Sequence, residues 1–133
     1  MNIQSILASM FSLKAETRAA PPVQRLSARE AYDKLRAGEI TLIDVRTPEE
    51  WRQTGVPEGA KRATLQDKDF LKQVMAHAGA FEAPVAFICR SGQRSGQAAA
   101  QARAVGFTQV YNVVGGVEGP DGWLAERLPV TFA

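Results

Sequence analysis

Phe87-Ile88-Cys89-Arg90-Ser91-Gly92-Gln93-Arg94-Ser95 decides the reading of this chain. An apolar run stops at the only cysteine, turns through Gly92 and restarts in the helix-forming run that reaches Val105 and stops at Gly106. A strand that turns into a helix in this way makes a cup of backbone N–H groups, and such a cup binds an anion. With a thiolate at its base and Arg90 and Arg94 on its wall, the cup suits sulfur or oxyanion chemistry.

The loop must stabilise the thiolate. A free cysteine has a pKa of ~8.5, so about 3% is ionised at pH 7. Lowering that pKa by two units takes about 2.7 kcal/mol. A helix N-terminus supplies up to ~2 kcal/mol, and each hydrogen bond to a charged group about 1.5–3 kcal/mol. Two or three inward amides therefore suffice. Gly92 supplies the positive φ that an inward ring of amides requires. Ser91 and Ser95 offer hydroxyl donors, and Ser95 is also a candidate helix cap. Gln93 completes the run. The plain alternative is a buried, inert cysteine, but the polar sequence Arg-Ser-Gly-Gln-Arg after it argues against a core position.

Outward from this loop, strand and helix signals alternate. Ser27-Ala28-Arg29-Glu30 is a capping box, which predicts a helix from Ser27 to Gly38 with Ala31, Tyr32 and Leu35 as its apolar stripe. Thr41 to Val45 reads as a buried strand. Thr47 and Pro48 open a short helix, and Gly55 to Gly59 reads as a loop. A helix is predicted from Asp67 to near Gly79, and strands over 84–88 and 109–114. The helix after the cysteine is expected from Ser95, with Gly96 and the alanines allowing close approach to the sheet. Trp123 to Arg127 reads as a last helical turn. Alternation of this kind implies an α/β domain with a mostly parallel sheet and helices on both faces. Ligands of such folds sit beyond the carboxyl ends of the strands. Asp44, Arg46, Cys89 and Gly115 lie at or past predicted strand ends, so they are expected to share a rim.

The totals bound the rest. A chain of 133 residues with 45% hydrophobic and 23% charged residues fits one ordinary globular domain. A net charge of +2 without charge blocks gives no reason to invoke nucleic acid. One cysteine makes no intramolecular disulfide, and one cysteine with one histidine makes no ordinary Cys/His zinc site. A free working thiol favours a reducing compartment, most simply the cytoplasm.

Residues 1–22 form a separate segment. Ile3, Ile6, Leu7, Met10 and Phe11 share one helical face, and Pro21-Pro22 ends the segment. Residues 1–13 read as an amphipathic helix that docks on a protein partner, a second copy or a membrane surface, or else packs on its own domain or frays. No Lys or Arg precedes the apolar stretch, which argues against a secretory signal. It is too short to cross a bilayer, so no transmembrane segment is expected.

Three ordered motifs resemble a family. The six-residue loop Cys89 to Arg94 is similar in length and type to the active-site loop of single-domain rhodaneses, which are sulfurtransferases. Ile43-Asp44-Val45-Arg46 with Pro48-Glu49-Glu50-Trp51 resembles the family's upstream signature, and Tyr111 to Gly116 with Trp123 its downstream one. The resemblance spans roughly Val23 to Phe132 and assigns residues 23–133 to a rhodanese-like domain. Two departures are visible. The family reads Gly-His-Ile-Pro-Gly-Ala where this chain has Gly55-Val56-Pro57-Glu58-Gly59-Ala60, and extra residues, including Glu118 and Asp121, separate Gly116 from Trp123.

The resemblance implies the following chemistry. Cys89 attacks the outer sulfur of a small anionic donor such as thiosulfate, with Arg90 and Arg94 offsetting the charge of the leaving sulfite. A Cys89 persulfide forms and passes its sulfur to cyanide, a thiol or a protein cysteine. No cofactor or metal is called for. Asp44 and Arg46 either pair to support the rim or reach substrate; the structural pair is the plainer reading. Trp51 and Trp123 read as packing, His77 as a partner of its own helix's last carbonyls, and Glu118 and Asp121 as a solvated turn. Two other functions fit the loop: a persulfide carrier serving a protein partner, and a phosphatase or arsenate reductase. The last class generally places its arginine one residue further from the cysteine.

Overall fold

The computed structural model describes residues 22–132, so the amphipathic segment and a docking role for residues 1–13 lie outside the described residues. The strands are β1 (Gln24–Leu26), β2 (Thr41–Asp44), β3 (Val56–Pro57), β4 (Lys61–Arg62), β5 (Val85–Ile88), β6 (Val110–Val113) and β7 (Val130–Thr131). The helices are α1 (Ala28–Arg36), α2 (Pro48–Thr54), α3 (Phe70–Ala78) and α4 (Gln93–Val105).

Five strands form one sheet in the order β1-β6-β5-β2-β4, and every neighbouring pair is parallel. Parallel strands need crossovers, and helices laid over both faces bury both sides of each central strand. β5 accordingly reads Val-Ala-Phe-Ile and is buried throughout. Its side chains alternate between two cores. Val85, Phe87 and Cys89 join Phe70, Val74, Ala98, Ala99 and Ala102. Ala86 and Ile88 join Ala28, Ala31, Leu42 and Trp123 on the other face. Cys89 follows the third strand of five, at the carboxyl edge, with β2 and β6 on either side.

Local sequence explains the helix starts. Both reciprocal contacts of a capping box are present at Ser27 with Glu30 and at Thr47 with Glu50. Other elements differ from expectation. α3 begins at Phe70, because residues 67–70 form a turn closed by the Phe70 N–H on the Asp67 carbonyl. α4 begins at Gln93 with Gly92 as its N-cap, so Ser95 lies inside the first turn and does not cap the helix. Residues 123–127 make turns, with Arg127 at φ 58°, and the expected last helical turn is absent. The expected 55–59 loop contains β3, which pairs antiparallel with β7. Two-residue strands carry too little period-2 pattern to be read from sequence.

Trp123 is fully buried as a packing residue, edge-on to Tyr32 at 5.8 Å, with its indole N–H donating to the Pro129 carbonyl at 2.7 Å. Trp51 lies under the Arg62 guanidinium, 5.4 Å from its ring centroid. His77 Nε2 sits 3.0 Å from the Arg62 carbonyl on β4, so it ties α3 to that strand and does not serve its own helix end.

Candidate active site

Cys89 emerges from β5, and the chain turns back over its sulfur. Gly92, at φ 106°, donates its N–H to Sγ at 3.1 Å. Ser95 Oγ, one turn into α4, lies 3.3 Å from the same sulfur. The residue is only 1% exposed. Burial pushes the thiol pKa up, but the Ser95 hydroxyl and the N–H groups of Ser95, Gly92 and Ser91 outweigh burial and hold it below the ordinary thiol range. The plain alternative therefore captures the burial of Cys89 but misses its polar surroundings. The rate of Cys89 alkylation by iodoacetamide is expected to climb with pH and level off around a midpoint below ~8.5. A midpoint at or above that value would contradict the donor set.

Asn112 on β6 organises these donors, and sequence reasoning gave it no individual role. Its Nδ2 donates to the Gly92 carbonyl at 3.2 Å, which turns its Oδ1 toward Ser95. Ser95 donates to that Oδ1 at 2.6 Å. The hydroxyl has one proton, so it serves either Asn112 or the sulfur at a given moment. The available signal was a carboxamide in the otherwise apolar and aromatic run Val-Tyr-Asn-Val.

The two loop arginines are not arranged as expected. Arg94 does not face an open cup: its Nη1 and Nη2 each donate to a Glu50 carboxylate oxygen at 2.8 Å. The Arg94 hydrogen bonds hold the Glu50 carboxyl down at about 2, well below the ordinary carboxylate range, so Glu50 stays charged wherever Cys89 ionises. Arg90 points outward, with a side chain 66% exposed and Nε 3.8 Å from Glu118 Oε2. Ser91 on the loop and Gln93 at the start of α4 are both exposed.

Asp44 and Arg46 form the structural pair, fully buried behind the rim rather than on it. Asp44 accepts from the Arg46 main-chain N–H and Nε at 3.0 Å and from Nη2 at 2.8 Å. Arg46 also donates to Thr54 Oγ1 and the Gly55 carbonyl, each at 3.0 Å, which fastens the end of α2 beneath the site.

The turn after β6 packs directly on the cysteine loop. The Val117 N–H donates to the Cys89 carbonyl at 2.8 Å and the Glu118 N–H to the Arg90 carbonyl at 2.9 Å. A Cβ on Gly116 would fall 2.3 Å from the Arg90 carbonyl oxygen, so only glycine permits this approach. Glu118 is consequently not a plain solvated turn residue. Its carboxylate stands 3.8 Å from both Arg46 and Arg90. An open cleft of about 560 Å³, lined by Pro48, Trp51, Arg52, Arg62 and Phe132, includes no cysteine-loop residue.

A lone cysteine held by main-chain donors, at the carboxyl edge of a parallel sheet and before a helix, defines a class of α/β proteins with a hydrogen-bonded cysteine loop between strand and helix. Within that class, the chain belongs to the rhodanese-like domain family, whose pattern matches residues 27–122. It is 37% identical to thiosulfate sulfurtransferase 16 of Arabidopsis thaliana chloroplasts, over 78% of this chain and 89% of that one. It is 34% identical to an uncharacterized protein of Rickettsia conorii, over 83% of this chain and 98% of that one. Among solved structures, the polysulfide-sulfur transferase homodimer of Wolinella succinogenes superposes with a TM-score of 0.67 at 32% identity, over 90% of this chain and 87% of that one. No helix among the described residues is long and apolar enough to cross a membrane.

Proposed function

We propose that this protein is a sulfurtransferase that carries a sulfane sulfur on Cys89, taking it from thiosulfate or a similar donor and passing it to a thiol, cyanide or a protein cysteine. The observation that carries this reading is the hydrogen-bonded sulfur of Cys89, with the Gly92 N–H at 3.1 Å and Ser95 Oγ at 3.3 Å. The names of the Arabidopsis and Wolinella relatives agree with it.

In the first step the Cys89 thiolate attacks the outer sulfur of thiosulfate. The Cys89 S–S bond forms, the donor S–S bond breaks, and sulfite leaves with the bonding electron pair. In the second step an acceptor nucleophile attacks the outer persulfide sulfur and returns Cys89 to thiolate. The loop donors hold negative charge at Sγ before attack and after discharge. Since Cys89 is the only cysteine, discharge comes from outside the chain. A thiol that must stay free to react suits a reducing compartment such as the cytoplasm.

Intact mass after exposure to thiosulfate tests the reading. Wild type is expected to gain one sulfur atom that cyanide removes, and Cys89→Ser to gain none. Phosphate-ester turnover without sulfur uptake would replace this function with hydrolysis.

A further inference from the structure

We propose that Glu118 tunes donor specificity, by balancing the charge at the loop mouth so that dianions such as thiosulfate react more slowly than donors that bring at most one negative charge, such as organic persulfides. This rests on the sulfur-transfer reading and narrows its donor class.

Donor preference follows from where the charges sit. Three guanidiniums, those of Arg46, Arg90 and Arg94, surround the loop, and the bare sequence suggests a site hungry for anions. Each already faces a carboxylate. Arg94 is held bidentately by Glu50 and Arg46 by Asp44. Glu118 then places one further carboxylate 3.8 Å from both Arg46 and Arg90, beside the cation that points to solvent. Three cations thus meet three anions. When Cys89 ionises, the neighbourhood carries a net negative charge, and an arriving dianion meets repulsion rather than a receptor.

Glu118 is held in this position by the main chain. Its N–H is bound to the Arg90 carbonyl, and Gly116 packs against Arg90 and Ser91 too closely for any side chain. The backbone that carries the carboxylate therefore moves with the cysteine loop. Its side chain is 31% exposed, so substitution removes a charge at the mouth without opening the core.

Alkylation of the only cysteine measures the effect without requiring sulfur transfer. Iodoacetamide and iodoacetate share a leaving group and differ in charge, so their rate ratio reports the potential at Sγ. Glu118→Gln is expected to raise the iodoacetate rate roughly fivefold, the most a partly exposed pair of charges commonly supplies, and to change the iodoacetamide rate much less. Added salt should speed iodoacetate on wild type and have little effect on Glu118→Gln, because screening relieves repulsion only where it exists. Sulfur uptake from thiosulfate should rise in Glu118→Gln by a factor similar to that for iodoacetate. Equal changes with both alkylating reagents, or a wild-type iodoacetate rate that falls with salt, would overturn the proposal. If wild type takes sulfur from thiosulfate as fast as Glu118→Gln, donor selection by Glu118 fails while sulfur transfer stands. If neither takes sulfur from thiosulfate or from an organic persulfide but the alkylation ratios shift as stated, Glu118 sets the charge at the mouth and the transfer reading fails.

Discussion

Asp44→Ala is expected to lower the unfolding free energy by about 3–5 kcal/mol, the cost of leaving a buried charge without its partner. Asp44 and Arg46 are both fully buried, and the carboxylate accepts three N–H groups of Arg46: the main-chain amide, Nε and Nη2. Without it the guanidinium keeps Thr54 Oγ1, the Gly55 carbonyl and Glu118 at 3.8 Å. None of these neutralises a buried cation at close range. A loss of this size is a large part of the stability of an ordinary domain, so urea unfolding should show a clear drop in midpoint. Replacing both residues with apolar ones of similar volume should recover much of the loss, since the desolvation penalty then disappears with the charge. A single-variant cost below about 1 kcal/mol would mean that water reaches Arg46.

Gly92→Ala is expected to damage both stability and reactivity. Gly92 sits at φ 106°, where an L side chain is strained by of order 1–3 kcal/mol. An added Cβ would also lie 2.5 Å from the Val114 carbonyl oxygen, a backbone atom that cannot swing aside. Relief of that clash moves the Gly92 N–H away from Sγ. Its hydrogen bond favours the thiolate, so the alkylation midpoint should move up toward the ordinary thiol value of ~8.5. Gly38→Ala is the control. Gly38 has φ 76° but nothing within 4 Å of its would-be Cβ, so it should carry backbone strain alone and leave Cys89 unchanged. Equal alkylation midpoints in Gly92→Ala and wild type would show that the Gly92 amide does not hold the sulfur.

The fold was legible wherever its cause lies within a few residues. Ser27 with Glu30 announces a helix start because a capping box closes over three positions. The all-apolar β5 announces a strand buried on both faces. The glycine after Cys89-Arg90-Ser91 announces a turn with positive φ, and the structure has it there. Sequence places the start of α4 two residues late because Ser95 has the chemistry of a cap, yet its hydroxyl points at Asn112 and the cysteine sulfur.

The site was legible in its nucleophile and not in its charges. Arg94 looks free in sequence, and its partner Glu50 lies 44 positions away in the first turn of α2, where it also serves the Thr47 capping box. Glu118 looks solvated, yet main-chain contacts between the turn after β6 and the cysteine loop carry it to Arg46 and Arg90. Sequence by itself determined the alternating elements, the position of the thiol at a strand end and the glycine that turns amides toward it, because steric limits and hydrogen-bond periods act between near neighbours. Only the tertiary structure decided which cations remain available to an incoming anion. Ion pairing depends on distance through space, and the packing of α2 and the 114–118 turn around β5 sets those distances.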